Sequence, residues 1–142
     1  MDELGGTLQG RLLKDIPKSA DRAKKSLEAA EEYLKEAKAA VSVGANAVGV
    51  MGAYSCAFHA ARAVLFLDGV AERSHVAVYE YLREKHPELG SGQVSAFSLY
   101  RKMRHSVAYG LAIKVKDGDG KEVLTFAEEF FENVRNNLKG KL

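Results

Sequence analysis

Apolar side chains recur every three or four positions along most of the chain, and short breaks rich in Gly, Pro and Asp separate the stretches. In the first stretch Ala23, Leu27, Ala30, Leu34, Ala37 and Val41 fall on one side of a helix, with Lys and Glu on the others. Ser19 or Asp21 can cap its first turn, and Gly44 ends it. A second helix is predicted from Asn46, a candidate cap, to about Asp68, closed by Gly69. Val50, Tyr54, Phe58, Ala61 and Leu65 form one of its apolar faces; Cys56, Ala60, Ala63 and Leu67 form another of mostly small residues. A helix apolar on most sides belongs in a core.

A shorter helix follows in "SHVAVYEYLREKH", capped by Ser74 and stopped by Pro87. The next starts near Ser91, is expected to bury Ala96, Leu99, Met103 and Val107, and stops at Gly110. In "LAIKVKDGDGKEVLTF" two alternating segments flank Asp117-Gly118-Asp119-Gly120, which predicts a hairpin-like excursion. The Asp-x-Asp-Gly string opens like a calcium loop, but the acidic ligands that should follow are missing, so it reads as a turn. Thr125 and Glu128 then form a capping box for a last helix. The expected fold is all-α, an antiparallel up-and-down bundle of four to five helices with that short excursion before the last. It is expected as one domain over residues 1–142, with 1–16 a loosely attached N-terminal segment.

Composition narrows the picture. A chain of 142 residues, 46% hydrophobic and 28% charged, suits a single soluble core. The formal net charge of +2 is far from the excess that marks an overall nucleic-acid binder, so any phosphate-handling surface has to be local. From Ala39 to Ala61 no Asp, Glu, Lys or Arg occurs. Ser42, Asn46, Ser55, His59 and three glycines interrupt that run, which favours a buried central helix over a membrane span. The single cysteine, Cys56, fits a core thiol in a reducing compartment, and "MDELGGTLQG" has no apolar signal-peptide region; a cytoplasmic location is expected.

The candidate chemistry gathers in "LYRKMRHSVAYGL", residues 99–111. Arg101, Arg104, His105 and Ala108 share one side of an ideal helix. Arg104 and Tyr109 stand about 140° apart at 3.6 residues per turn, so they converge only if the helix ends near Ala108, as Gly110 suggests. An arginine fork suits phosphate, and a phenol can donate to phosphate or stack on a base. The bland alternative is a solvated basic face. His59 and Arg62 make a second polar line in an otherwise apolar helix, readable as part of a groove or as a hydrogen-bonded core histidine beside a helix-end charge. His75, after the Ser74 cap, reads as structural, and His86, beside Pro87, as an exposed helix-end charge. The four histidines and Cys56 show no ligand spacing, so neither metal nor cofactor is expected.

The strings "AYSCAFHAARAVLFLDGV", "SHVAVYEYL", "RKMRHSVAYG" and "FAEEFFENVRNNL", in this order from Pro17 onward, resemble the prokaryotic HEPN domain. These small helical bundles are often encoded beside a minimal nucleotidyltransferase, and many known members are ribonucleases or toxins. The resemblance implies a homodimer with a basic groove across the two-fold axis, and a catalytic arginine followed four to six residues later by histidine. Arg104 matches the arginine; Tyr109, Gly110 and Leu111 occupy the histidine position. It therefore implies a protein that binds nucleotide or RNA phosphate through Arg101, Arg104, His59, Arg62 and Tyr109, as the toxin-type partner of a nucleotidyltransferase with a degenerate nuclease motif. One alternative is an active metal-independent ribonuclease using Arg104, Tyr109 and either His105 or His59 as base. Another is a structural adaptor that holds no ligand. In some systems of this family the partner adenylylates a tyrosine near the motif, which makes Tyr109 a candidate target.

Overall fold

The computed structural model describes residues 12–110 and 115–142. Among them are five helices, α1 (Ala20–Ser42), α2 (Asn46–Asp68), α3 (His75–Lys85), α4 (Ser91–Ala108) and α5 (Asp119–Leu138). A two-stranded antiparallel ribbon pairs β1 (Leu13–Asp15) with β2 (Val70–Glu72), and a single 3-10 turn spans Pro87–Leu89. The expected all-α bundle is the fold that forms.

The central helix is α2, packed along α1 and α5. It is long and apolar enough to cross a membrane, yet most of its apolar run is buried inside the bundle. Burial on several sides is the reason it carries so few charges. Small residues set how closely α1 and α2 approach: a Cβ added at Gly49 would stand 2.6 Å from Val41 Cγ2. Ser19 Oγ accepts from the Arg22 amide at 3.0 Å and Ser74 Oγ from the Val76 amide at 3.2 Å, so both expected caps form. Gly69 closes α2 in the left-handed region at φ 81°.

Three local expectations around α2 and α5 are corrected. Asn46 is inside α2 rather than capping it, and its side chain packs against Gly120, where an added Cβ would lie 2.9 Å from Asn46 Oδ1. The last helix starts at Asp119, so the second arm of the expected hairpin is helical; the first arm, residues 111–114, lies outside the described residues. Gly120, Val123, Phe126 and Ala127 are all buried, and the helical period places them on one face. Thr125 is accordingly no cap: its hydroxyl donates to the Lys121 carbonyl at 3.0 Å.

On α4 the buried residues are Val94, Phe97 and Tyr100, while Leu99 is 57% exposed and Ala96, Met103 and Val107 sit at the margin. Phe97 decides this rotation. Its ring stacks between Tyr54 and Phe130, at 5.5 Å from each, and aromatic area outweighs one leucine. At the start of the chain, Leu13 is buried, the Ile16 amide donates to the Gly69 carbonyl, and the Arg73 amide donates to the Leu12 carbonyl. Of the segment expected to be loose, residues 12–16 are held in place, and 1–11 lie outside the described residues.

Candidate functional site

The rotation that buries Phe97 also aims the arginines. Arg101 and Arg104 follow Phe97 at spacings of four and three, so they extend the buried stripe of α4 past the edge of the core. There they meet the first turn of α3. Ser74, His75, Val76, Arg101, Arg104, His105 and Tyr109 line a cleft of about 310 Å³. It contains no carboxylate among these residues, and the amino end of α3 adds the partial positive charge of its unpaired amides.

Helix α4 ends at Ala108, with Tyr109 as its C-cap and Gly110 at φ 63°. This ending brings Tyr109 into the same cleft as Arg104, as the spacing argument required. Tyr109 is 65% exposed, and its ring centroid lies 4.6 Å from that of His105. The Arg101 Nε is buried and has no hydrogen-bond partner among the described residues, so its guanidinium retains a donor.

The structure brings Arg101, Arg104, His105 and Tyr109 together and leaves His59 and Arg62 outside this lining. His59 stacks on Tyr33 at 5.2 Å, and burial followed by the nearby Arg62 lowers its pKa from the ordinary histidine value. Arg62 Nε pairs with Glu72 Oε1 at 2.8 Å, and its guanidinium lies 5.1 Å from the centre of the Phe66 ring. Both side chains serve the packing of α2 against α1 and β2.

Two histidines sit differently from expectation. His75 is a wall of the cleft, with Phe58 stacked on its ring at 4.0 Å and Tyr54 Oη 3.0 Å from Nδ1. Burial, then Arg104, lowers its pKa from the usual value; Glu72 opposes this, and Arg101 and Arg62 add to it. No signal in the linear sequence marks His75, because Phe58, Tyr54 and the arginines that surround it lie on other helices. His86 is not an exposed helix-end charge. It lies between Asp68 (Nε2 to Oδ2, 2.5 Å) and Glu88 (Nδ1 to Oε2, 2.6 Å), with only 16% of its side chain exposed.

A wider depression of about 650 Å³ lies between α4 and α5, lined in part by Tyr100, Phe126, Glu122 and Glu129. Its carboxylates make it the wrong place for an anion. No group of three or more His, Cys, Asp or Glu side chains among the described residues is arranged to hold a metal ion.

Comparison with known families matches the HEPN domain over residues 23–137. No curated protein matches the chain.

Proposed function

This chain belongs to the HEPN domain family, and on that premise we propose that the cleft between α3 and α4 binds the phosphate of a nucleotide or RNA. The observation that carries this reading is the convergence of Arg101, Arg104, His105 and Tyr109 on one carboxylate-free cleft. Two guanidinium groups supply charge and paired donors for an oxyanion. The exposed Tyr109 ring offers a surface on which a base stacks. Two copies meeting at this corner would join their clefts into a basic groove, so the protein acts as a homodimer. In a cytoplasmic setting it is the toxin-type partner of a minimal nucleotidyltransferase, and the exposure of Tyr109 suits its adenylylation by such an enzyme.

A second reading, metal-independent ribonuclease activity, is favoured by His105 standing beside Arg104 and Tyr109 in the cleft. A histidine titrates near working pH and can take the ribose 2′-hydroxyl proton, whereas a tyrosine is protonated there and cannot.

Labelled nucleotide and labelled RNA, each titrated with the protein in EDTA, test both readings. Salt-sensitive binding that Arg104→Ala abolishes, with the RNA left intact, supports the binding protein. RNA cleavage lost in Arg104→Ala and His105→Ala supports the ribonuclease. Neither binding nor cleavage leaves an adaptor. Sedimentation reads the dimer, and intact mass after co-expression with a nucleotidyltransferase reads the state of Tyr109.

A further inference from the structure

His75 contributes to the cleft in a way the arginine motif does not foresee. Its ring is fixed twice: Phe58 stacks on its face with planes 11° apart, and Tyr54 holds Nδ1. Tyr54 is 1% exposed, and the contact with His75 is its one hydrogen bond among the described residues. A buried hydroxyl proton needs an acceptor, and Nδ1 is the partner that stands within hydrogen-bond distance of the Tyr54 hydroxyl. If Nδ1 carried the proton instead, the phenol hydrogen would be stranded in the aromatic core. Burial raises the Tyr54 pKa well above the usual phenol value, so the group remains a donor at neutral pH.

With Nδ1 occupied as acceptor, the imidazole proton resides on Nε2. That nitrogen has no hydrogen-bond partner among the described residues, and the ring lines the cleft. A second proton on His75 is disfavoured by its surroundings. Arg101 and Arg104 face it from α4 and Arg62 from α2, while Glu72 on β2 is the one opposing charge and is paired with Arg62.

We infer that Tyr54 and His75 form a tautomer-locked pair that presents a neutral Nε2–H to a phosphate oxygen held by Arg101 and Arg104. His75 is then a binding residue and Tyr54 a positioning residue. The same lock denies His75 the free Nε2 lone pair that a general base requires, so the pair favours holding RNA over cutting it. This inference rests on the phosphate-cleft reading and deepens it.

The first test needs no ligand. Long-range proton–nitrogen NMR of the histidine rings at pH 7 is expected to show the His75 proton on Nε2 and Nδ1 as an acceptor. In Tyr54→Phe the ring is expected to relax to a mixture of tautomers. A proton resident on Nδ1 in the native protein overturns the inference.

The second test measures binding of labelled ATP and of a labelled 2′-O-methyl oligoribonucleotide, which carries diester phosphates and resists cleavage. His75→Phe keeps the ring stacked on Phe58 and removes the donor. A hydrogen bond to a charged group predicts a loss of roughly tenfold in affinity. The loss falls on ATP alone if the cleft takes a free nucleotide, and on the oligonucleotide alone if it takes the RNA backbone. Tyr54→Phe is expected to weaken the same ligand by about twofold, since the donor survives in one of two tautomers. Native-like binding by His75→Phe, with Arg104→Gln failing to bind although it melts like the native protein, overturns the inference and leaves the phosphate cleft standing. Native-like binding by Arg104→Gln removes the cleft reading and the inference with it. Cleavage of unmodified RNA that disappears in His75→Phe makes His75 a base and also overturns the inference.

Discussion

His75 and His86 are the same side chain in opposite electrical settings. His86 lies between two carboxylates, Asp68 and Glu88, and tethers the end of α3 to the end of α2. Its burial alone would lower its pKa, but the hydrogen bonds to Asp68 and Glu88 outweigh that and raise it above the usual value. His75 has a phenol on one nitrogen, and its burial, with the arginines around it, lowers its pKa. One corner of the molecule thus stabilises a cation in order to hold helices together. The other disfavours charge on its imidazole and leaves Arg101 and Arg104 in no ion pair among the described residues, as a site awaiting an anion does.

That contrast breaks most severely at Arg104. Arg104→Ala is expected to cost about 3 kcal/mol of nucleotide or RNA binding, roughly a hundredfold in Kd, because a charge-assisted arginine–phosphate contact is lost from a confined cleft. Fluorescence anisotropy at fixed salt measures it, and thermal melting should be nearly unchanged.

His86→Ala should do the reverse. It leaves binding intact and lowers stability by about 2 kcal/mol at pH 6, the scale of a hydrogen bond to a charged group. The raised pKa of His86 makes its contribution complete below the unfolded-state value of about 6.5 and lost as pH rises through the folded value. The pKa of Asp68 is lowered: burial alone would raise it, but hydrogen bonds from His86 and Tyr81 prevail, so its contribution is lost as pH falls through the lowered value. Denaturant unfolding of native and His86→Ala proteins should therefore differ most near pH 5 to 6, a window of about 4 to 6.5 set by the ordinary carboxylate and histidine values. The difference should shrink above pH 8, where a neutral imidazole can donate to only one of the two carboxylates. A difference constant from pH 5 to 9 would remove the charged role assigned to His86.

Smaller effects sharpen the contrast. His75→Phe should lower stability by about 1 kcal/mol, because stacking on Phe58 is kept while the buried Tyr54 hydroxyl loses its acceptor. His105→Ala, at an exposed position beside Tyr109, should weaken ligand binding by about threefold if it only supports the tyrosine ring.

Legibility in the sequence followed the reach of each interaction. The caps at Ser19 and Ser74 and the stop at Gly69 are settled within a few residues, and they form where the pattern puts them. The face of α4 is not a local matter. Ala96, Leu99, Met103 and Val107 and the set Val94, Phe97 and Tyr100 are both helical stripes, and the choice rests with Tyr54 and Phe130 on other helices. The start of α5 was hidden for a similar reason. Asp117-Gly118-Asp119-Gly120 has the chemistry of a turn, yet Gly120 is needed where α5 presses on Asn46. At the site, Arg101, Arg104, His105 and Tyr109 share one helix end and their proximity can be read from spacing. His75 reaches the cleft only through the tertiary fold, so no motif along the chain could register it.

The ribbon of β1 and β2 has a practical consequence for anyone labelling this protein. Leu12 is hydrogen-bonded to Arg73, two positions before His75, so the ribbon is tied to the stretch that leads into the wall of the cleft. A dye coupled at Lys14, exposed on β1, sits on that ribbon, whereas one appended after Leu142 extends from α5, whose residues do not line the cleft. Reporter placement therefore decides whether an experiment sees an open cleft or a shielded one.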